Sequence, residues 1–311
     1  MMRVVFMGTP DFAVGTLEAI LAAGHEVVGV FTQPDKPKGR GKNMQFPPVK
    51  ETALAHGLPV YQPEKIREAS FVDTLRKMEP EVIVVVAFGQ ILTKEILDMP
   101  KYGCINVHAS LLPKYRGSAP IQWAVINGEK ESGVTTMLMN EGIDTGDMLK
   151  KAVVHLDEKE TGGSLFDKLA DEGAKLLVET LKDLEQGTIT RTPQQEEEAT
   201  HVKMLDKKMG LIDFSKSAVE IERLIRGLNP WPSAYTGYKG KTLKIWDADV
   251  VDKEMDGEVG QVVEVSKHEL FIKTGKGLLS LQEVQLEGKK RMDIDAFLRG
   301  NAVEVGTKLE K

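Results

Sequence analysis

The sequence predicts an α/β fold, a doubly wound and mostly parallel sheet, followed by a smaller β-rich domain. Apolar runs of strand length alternate with amphipathic segments of helical period through residues 1–190, which is the pattern of a parallel sheet with helical crossovers. From residue 207 to residue 311, short β-type runs alternate with turn residues instead. The polar segment 191–206 lacks apolar periodicity, so we predict that it links the two domains.

The first domain is predicted from short apolar runs rich in β-branched residues. One of them, EVIVVVAF, is apolar almost throughout, as expected of a strand covered on both faces. The predicted strands are residues 3–7, 26–32, 81–88, 104–109, 133–139 and 150–156. The predicted helices are residues 12–23, with Asp11 as the cap, and 65–78, 121–126 and 164–184. In such sheets, ligands bind beyond the carboxyl ends of the strands.

The second domain is predicted to begin with one helix and to continue as a small barrel. The helix covers residues 212–226, and the strands cover 243–246, 260–265, 270–274 and 278–284. Strands of this number and length suit an OB-like barrel, and such barrels often bind nucleic acids or sugar polymers. From residue 207 on, the chain carries 18 basic against 17 acidic residues, a modest charge for an RNA-binding module.

The composition is that of an ordinary globular chain, with 41% hydrophobic and 28% charged residues among 311. The sequence contains neither a long apolar run nor a secretory signal, so we expect a cytoplasmic protein. The single cysteine, Cys104, excludes an internal disulfide and is expected to be a buried strand residue rather than a nucleophile. The histidines lack metal-ligand spacing, and the glycine-rich stretches do not match nucleotide-binding motifs. We therefore predict no metal and no bound nucleotide.

The charge distribution singles out one loop. The net charge of −6 argues against a general nucleic-acid binder, but the segment PDKPKGRGKNMQFPPVK, residues 34–50, is strongly basic. Its cations are Lys36, Lys38, Arg40, Lys42 and Lys50, against Asp35 alone. A solvated loop is the ordinary interpretation of such a run. Its length within a compact domain, and its place after a strand, favour a role in holding a phosphate backbone.

The segment NVHASLLPKYRG, residues 106–117, carries the residues that we expect to do chemistry. Asn106 and His108 are two residues apart on a predicted strand, so they point the same way. The amide can bind an oxyanion while the imidazole transfers a proton. The alternatives are an Asn that caps backbone groups and a structural His.

A third candidate is Asp144, in the turn GIDTGD. A carboxylate beside an imidazole would orient it and support its protonated form, although an Asx-type turn would explain the same residue. No protein nucleophile is legible. These residues therefore favour direct transfer of a small acyl group between two bound molecules.

Five motifs together carry a family resemblance: GTPDFA (8–13), FTQPDKPKGRGK (31–42), NVHASLLPKYRG (106–117), GIDTGD (142–147) and GLNPWPSAY (227–235). They resemble the formyltransferases that use 10-formyltetrahydrofolate. The Asn, His, SLLP and Asp elements are shared by the wider family, including enzymes for glycinamide ribonucleotide and for sugar amines. The basic loop, GLNPWP and the β-rich tail resemble the branch that acts on initiator methionyl-tRNA.

The resemblance implies roles for particular residues. Asn106 would bind the formyl oxygen, His108 would stabilise charge and carry a proton, and Asp144 would position His108 and help relay the proton. The expected folate wall comprises Phe88, Gly89, Gln90, Ile91, Leu92, Ser110, Leu111, Leu112 and Pro113. The expected tRNA contacts are Lys36, Lys38, Arg40 and Lys42. The resemblance also implies an enzyme that needs no metal, and we expect it to be a monomer.

Two other functions remain open at this point. A family member acting on a sugar-nucleotide amine would share Asn106, His108 and Asp144, but it would need neither the basic loop nor an RNA-facing barrel. A catalytically silent RNA-binding protein of the same fold would need the loop and not the three catalytic candidates.

Overall fold

The computed structural model describes residues 1–38 and 43–310. These residues form two compact units, and neither unit is continuous in sequence. The first comprises Met1–Pro120, Glu131–His155 and Phe166–Val202, and the second comprises Ile121–Lys130, Leu156–Leu165 and Lys203–Lys311. This division differs from the predicted split into 1–190 and 207–311, since two short internal segments group with the C-terminal part and residues 191–202 group with the N-terminal part.

The first unit is built on a mixed sheet with the order β10-β9-β7-β6-β1-β2-β5. Its strands are β1 (Arg3–Gly8), β2 (Glu26–Phe31), β5 (Val60–Tyr61), β6 (Val82–Val86), β7 (Cys104–His108), β9 (Glu131–Leu138) and β10 (Asp147–His155). Five neighbouring strands, in the order β7-β6-β1-β2-β5, are parallel to one another. At one edge of the sheet, β9 pairs antiparallel with β7, and β10 pairs antiparallel with β9. All five residues of β6 are buried, as its apolar run predicts. The predicted α/β class is therefore confirmed.

The strand order places a switch point in the middle of the sheet. From β1 the chain continues to β2 on one side, and it later returns to β6 on the other side of β1. Ligands of open α/β sheets bind in the crevice that this reversal leaves at the carboxyl ends of the strands. Gly8 ends β1 there, where an added Cβ would come within 2.8 Å of Ala13 and 3.0 Å of the Val86 carbonyl oxygen.

The helices of the first unit differ from the prediction at their starts. The helices are α1 (Asp11–Ala22), α2 (Pro48–Ala55), α3 (Ala69–Met78) and α4 (Lys94–Leu97), while α5 (Pro120–Ile126) and α6 (Gly162–Gln186) each have residues in both units. The predicted cap Asp11 is wrong, because Pro10 occupies the N-cap position and no side chain caps the helix. The predicted helix 65–78 begins only at Ala69, because residues 65–68 form a turn, in which the Glu68 N–H donates to the Lys65 carbonyl at 3.1 Å. The Gln90 side chain holds this segment by bonds to the backbone of Pro63 and Ile66.

Within the predicted basic loop, the described residues form a two-stranded antiparallel ribbon of β3 (Lys36–Lys38) and β4 (Asn43–Gln45). We call the segment 34–50 the basic ribbon. Two further short strands, β8 (Arg116–Gly117) and β11 (His201–Val202), pair in parallel. The segment predicted as a linker thus supplies a strand to the first unit.

The second unit contains an antiparallel sheet with two helices. Its elements are α7 (Ala218–Gly227), β12 (Ala234–Tyr238), β13 (Lys241–Val251), β14 (Val262–Val265), β15 (Leu270–Lys273), β16 (Leu278–Leu286), β17 (Met292–Asp293) and α8 (Ile294–Gly300). The strand order is β12-β13-β16-β15-β14, with β17 beside β16. Glu310 bridges to Gly237 in β12, and Lys308 bridges to Gln261 just before β14. The C-terminal segment therefore joins the two edges of the sheet, as in a barrel.

The predicted helix 212–226 is wrong in its first six residues. Ser217 and Glu220 form a capping box, so α7 begins at Ala218. Before it, the Ile212 N–H donates to the Tyr235 carbonyl at 2.9 Å and extends the sheet. The backbone of Glu160 accepts from Arg226 at 2.7 Å, and Gly163 N–H donates to Asn229. These bonds explain why residues 156–165 group with this unit.

Candidate active site

Strand β7 carries the two central candidates at the carboxyl edge of the parallel sheet. Asn106 pairs with Val85 on one side and with Met137 on the other. It is half-buried, and its side-chain amide makes no hydrogen bond to the part of the chain that the structure describes. His108, at the end of the same strand, is 7% exposed. The strand therefore holds one free amide next to one nearly buried imidazole.

The imidazole of His108 has an acceptor at each ring nitrogen. Its Nε2 lies 2.9 Å from the Tyr115 carbonyl oxygen, and its Nδ1 lies 3.7 Å from Asp144 Oδ1. The second Asp144 oxygen, Oδ2, accepts from the Gly117 N–H at 2.8 Å. Both groups that face the ring nitrogens, the Tyr115 carbonyl and the Asp144 carboxylate, are thus hydrogen-bond acceptors. The structure thus brings His108 and Asp144 together across a long stretch of sequence.

The turn that carries Asp144 does not use its carboxylate to hold itself. Asn140 Oδ1 accepts from Gly142 N–H and from the Thr145 hydroxyl, and so makes the Asx-type turn. Asp144 has a φ of +54°, in the left-handed region. Gly146 follows where an added Cβ would lie 1.8 Å from the Leu138 carbonyl oxygen. Because Asn140 supplies the turn bonds, the Asp144 side chain remains available to face His108 and Gly117.

Three residues around this site were missed by sequence reasoning. Gln194 donates to the carbonyls of Asp144 and Gly146, both at 2.8 Å, and accepts from Arg116 Nε at 3.0 Å. Thr200 accepts from the Tyr115 N–H through its hydroxyl. Two of these, Gln194 and Thr200, lie in a segment without apolar periodicity, which is the signal that we used to predict a linker. Polar side chains that hydrogen-bond to a loop do not produce a periodic pattern of apolar residues, so sequence periodicity cannot reveal them.

The first predicted folate segment, Phe88–Leu92, offers backbone rather than side-chain groups. The backbone N–H and C=O groups of residues 89–92 make no hydrogen bond to the described part of the chain, so they are free to bind a ligand. Phe88 and Leu92 are buried in the core, whereas Ile91 is 76% exposed. The Gln90 side chain is already bonded to residues 63 and 66.

The second predicted folate segment, Ser110–Pro113, is fixed by its neighbours. The Ser110 hydroxyl donates to the Lys114 carbonyl at 2.7 Å, and Thr135 bridges the Ser110 carbonyl and the Leu112 N–H. Leu112 is buried against Met137 and Met148, while Leu111 is only partly buried. The peptide bond before Pro113 is cis. Of the two leucines, Leu111 is the one with a surface left for a ligand.

The cations of the basic ribbon fall into different environments. Lys36 is exposed, whereas Lys50 pairs with Asp35 at 2.7 Å, and its Nζ also donates to Gln62 Oε1 at 2.8 Å. Hydrogen bonds from Lys50 and then Gln62 lower the pKa of the Asp35 carboxyl. The side chain of Lys38, together with Arg40 and Lys42, lies outside the described residues. Because its charge is balanced by Asp35, Lys50 is less suited than the exposed Lys36 to bind a phosphate.

Cys104 is buried in β7, and its thiol donates to the Ile96 carbonyl. Burial raises the pKa of this thiol to about 12, so it is no nucleophile near neutral pH. Among the described residues, no cluster of His, Cys, Asp or Glu has the arrangement of a metal site. No helix in the same residues combines the length and apolarity needed to span a bilayer.

The sheet carries an amide and an imidazole on β7, and the turn after β9 sets a carboxylate 3.7 Å from the imidazole, an arrangement that suits a group-transfer enzyme. The formyl transferase family matches residues 2–181, and the formyl transferase C-terminal domain matches residues 204–302. The chain therefore belongs to the formyl transferase family.

Similar proteins cover the whole chain. The methionyl-tRNA formyltransferase of Agathobacter rectalis is 66% identical over 98% of this chain and 99% of its own length. That of Lachnospira eligens is 63% identical over 99% of each chain. Among solved structures, the sugar 3N-formyl transferase WlaRD, in the presence of dTDP and 5-N-formyl-THF, matches 93% of this chain and 99% of its own with a TM-score of 0.68. Its sequence identity is 19%, so this likeness is one of fold.

Proposed function

We propose that the protein transfers the formyl group of 10-formyltetrahydrofolate to the α-amino group of methionine on initiator methionyl-tRNA, giving the N-formylmethionyl-tRNA that starts translation. The observation that carries this proposal is the free Asn106 amide on the same strand as the His108–Asp144 pair, in a chain 66% identical to a methionyl-tRNA formyltransferase. An unpaired amide at the edge of a parallel sheet can bind an oxygen that gains negative charge.

In the proposed reaction, the neutral amine attacks the formyl carbon, and the new C–N bond replaces the bond from that carbon to the folate nitrogen. Asn106 donates to the formyl oxygen and stabilises the oxyanion of the tetrahedral intermediate. One proton leaves the attacking amine and one reaches the departing folate nitrogen. His108, held between Tyr115 and Asp144, stabilises the developing charge and carries this proton.

The folate is proposed to lie in the crevice at the carboxyl ends of β1 and β6. The free backbone groups of residues 89–92 suit the donor and acceptor pattern of a pterin edge. Leu111 and Ile91 would cover the ring, while Phe88, Leu92 and Leu112 support these segments from the core. Two solved structures of similar fold support a folate co-substrate: WlaRD in the presence of 5-N-formyl-THF, and HypX of Aquifex aeolicus in complex with tetrahydrofolic acid.

The tRNA is proposed to meet the basic ribbon through Lys36, Lys38, Arg40 and Lys42, with the OB-like domain as a secondary surface. Phosphate contacts by exposed Lys and Arg position a nucleic acid without reading its sequence. Lys50 is not included, because Asp35 neutralises it. Since the proposed substrate is a charged initiator tRNA, we place the enzyme in the cytoplasm, where translation starts, and we propose that it works as a monomer without a metal.

One assay separates this proposal from its alternatives. Purified protein is incubated with 10-formyltetrahydrofolate labelled in the formyl group, and with either initiator methionyl-tRNA or a sugar-nucleotide amine. We expect label in the tRNA product only. Label in the sugar product alone would replace the proposal with a sugar-amine formyltransferase, and tRNA binding without any formyl transfer would replace it with an RNA-binding protein.

A further inference from the structure

Gln194 uses every polar atom of its side chain on the site. The amide nitrogen Nε2 donates to the carbonyl of Asp144 and to that of Gly146, at 2.8 Å each. The amide oxygen Oε1 accepts from Arg116 Nε at 3.0 Å. The side chain therefore connects the turn that carries Asp144 with the short strand β8 (Arg116–Gly117).

Arg116 is an unusual partner because it is a cation with only 1% of its side chain exposed. Besides its bond to Gln194, the Arg116 side chain donates from Nη1 to the Glu196 carboxylate at 2.8 Å. The backbone N–H of Arg116 donates to the Thr200 carbonyl, also at 2.8 Å. A buried guanidinium that lost these partners would be costly, so it fixes the segment 194–200 firmly. The next residue, Gly117, donates its N–H to Asp144 Oδ2.

These bonds form a closed ring. Gln194 holds the Asp144 backbone from one side, Arg116 holds Gln194, and Gly117 beside Arg116 holds the Asp144 carboxylate from the other side. We propose that Gln194 is a positioning residue, which sets the Asp144 carboxylate against His108 by fixing the turn 144–146 to Arg116. The inference rests on the proposed function, since it assigns a part to Gln194 in that reaction.

The chemistry of the amide is specific to this task. Both hydrogens of Nε2 are needed, since two carbonyl oxygens face it. A glutamate in its place would set a carboxylate oxygen against the same two carbonyls. Asp144 has a φ of +54°, in the left-handed region, which Asp adopts more readily than most residues other than glycine, and the two bonds from Gln194 fix the turn in this conformation.

The adjacent glutamine provides a matched control. Gln195 is exposed and its side chain makes no hydrogen bond to the described residues. We expect Gln194→Ala and Gln194→Glu to lower kcat about 10- to 100-fold, the scale of a small misplacement of catalytic groups, with both KM values within about threefold of the parent. Gln195→Ala should leave kcat unchanged. The Gly117 amide proton, which bonds a carboxylate, should move upfield in the NMR spectrum of Gln194→Ala, at unchanged overall dispersion.

A double-mutant cycle separates positioning from general support. If Gln194 acts through Asp144, then adding Gln194→Ala to Asp144→Asn should lower the remaining activity by less than about twofold. Full additivity, an unmoved Gly117 resonance, or equal activity of Gln194→Ala and Gln195→Ala would each overturn the proposal. If the parent enzyme formylates methionyl-tRNA, such a result refutes only the role of Gln194; if the parent forms no product, the proposed function fails first.

Discussion

The imidazole of His108 and the carboxylate of Asp144 lie 3.7 Å apart, with both side chains at least 85% buried. The distance is slightly longer than a direct hydrogen bond, and catalytic contacts in ligand-free sites often shorten when the substrate binds. The two residues reach this position by different routes: His108 ends a sheet strand, whereas Asp144 is on a turn braced by Asn140 and Gln194. The pair therefore depends on the surrounding polar bonds as well as on the strand.

His108→Ala should lower kcat for formyl transfer by about 10² to 10⁴, the usual range for a general acid–base group. The matched control is His155→Ala, because His155 also lies near a carboxylate, Glu131 at 3.8 Å, but is 85% exposed. Steady-state kinetics of both variants check this. A His108→Ala enzyme with parental kcat would exclude a role for this imidazole in proton transfer.

Asn106→Ala should lower kcat by about 10² to 10³, the scale for one oxyanion-hole donor. Because the Asn106 amide has no hydrogen-bond partner among the described residues, the free energy of unfolding should change by less than about 1 kcal/mol. Kinetics and urea unfolding of the same preparation test both statements. A loss of kcat below threefold, or a large loss of stability, would indicate a structural asparagine.

Strand positions were predictable because burial imposes a period on the sequence. The run 104–109 identified β7 to within one residue, and its alternation placed Asn106 and His108 on one side. The turn at Asp144 was also visible, through its two flanking glycines. The sequence did not show, however, that Asn140 rather than Asp144 makes the Asx-type turn, because both residue types favour turns.

Polar bracing could not be predicted in this way. Arg116 is buried and Gln194 touches the active-site turn, yet nothing in the sequence distinguishes Gln194 from the exposed Gln195. Similarly, the sequence did not show that Asp35 pairs with Lys50 rather than with another lysine of the basic ribbon, or that Gln62 from another segment donates to the same carboxylate. Hydrogen bonds between distant segments leave no periodic trace in the residues that make them.

Arg40→Glu should raise the KM for methionyl-tRNA and leave the KM for the folate within about twofold, because the basic ribbon is proposed to hold phosphates. The effect should shrink as salt rises, since phosphate contacts are screened and release counterions. The control is Lys77→Glu on α3, an exposed residue of the same charge in the same unit. Equal damage to the use of both substrates would contradict the assignment of the ribbon to tRNA.

Cys104 should resist alkylation in the folded protein and should be dispensable for catalysis. Burial raises the pKa of its thiol to about 12, so the folded thiol stays protonated at pH 8.5. In the unfolded protein the thiol has a pKa of about 8.5 and is half ionised at that pH. The stability that this difference supplies is complete below about pH 8.5 and is lost as the pH rises towards 12, because only the unfolded state then gains by ionising. Iodoacetamide labelling at pH 8.5, with and without guanidinium, measures the first expectation, and kinetics of Cys104→Ala measures the second. Rapid labelling of the native enzyme with loss of activity would show instead that the thiol is accessible and close to the reacting groups.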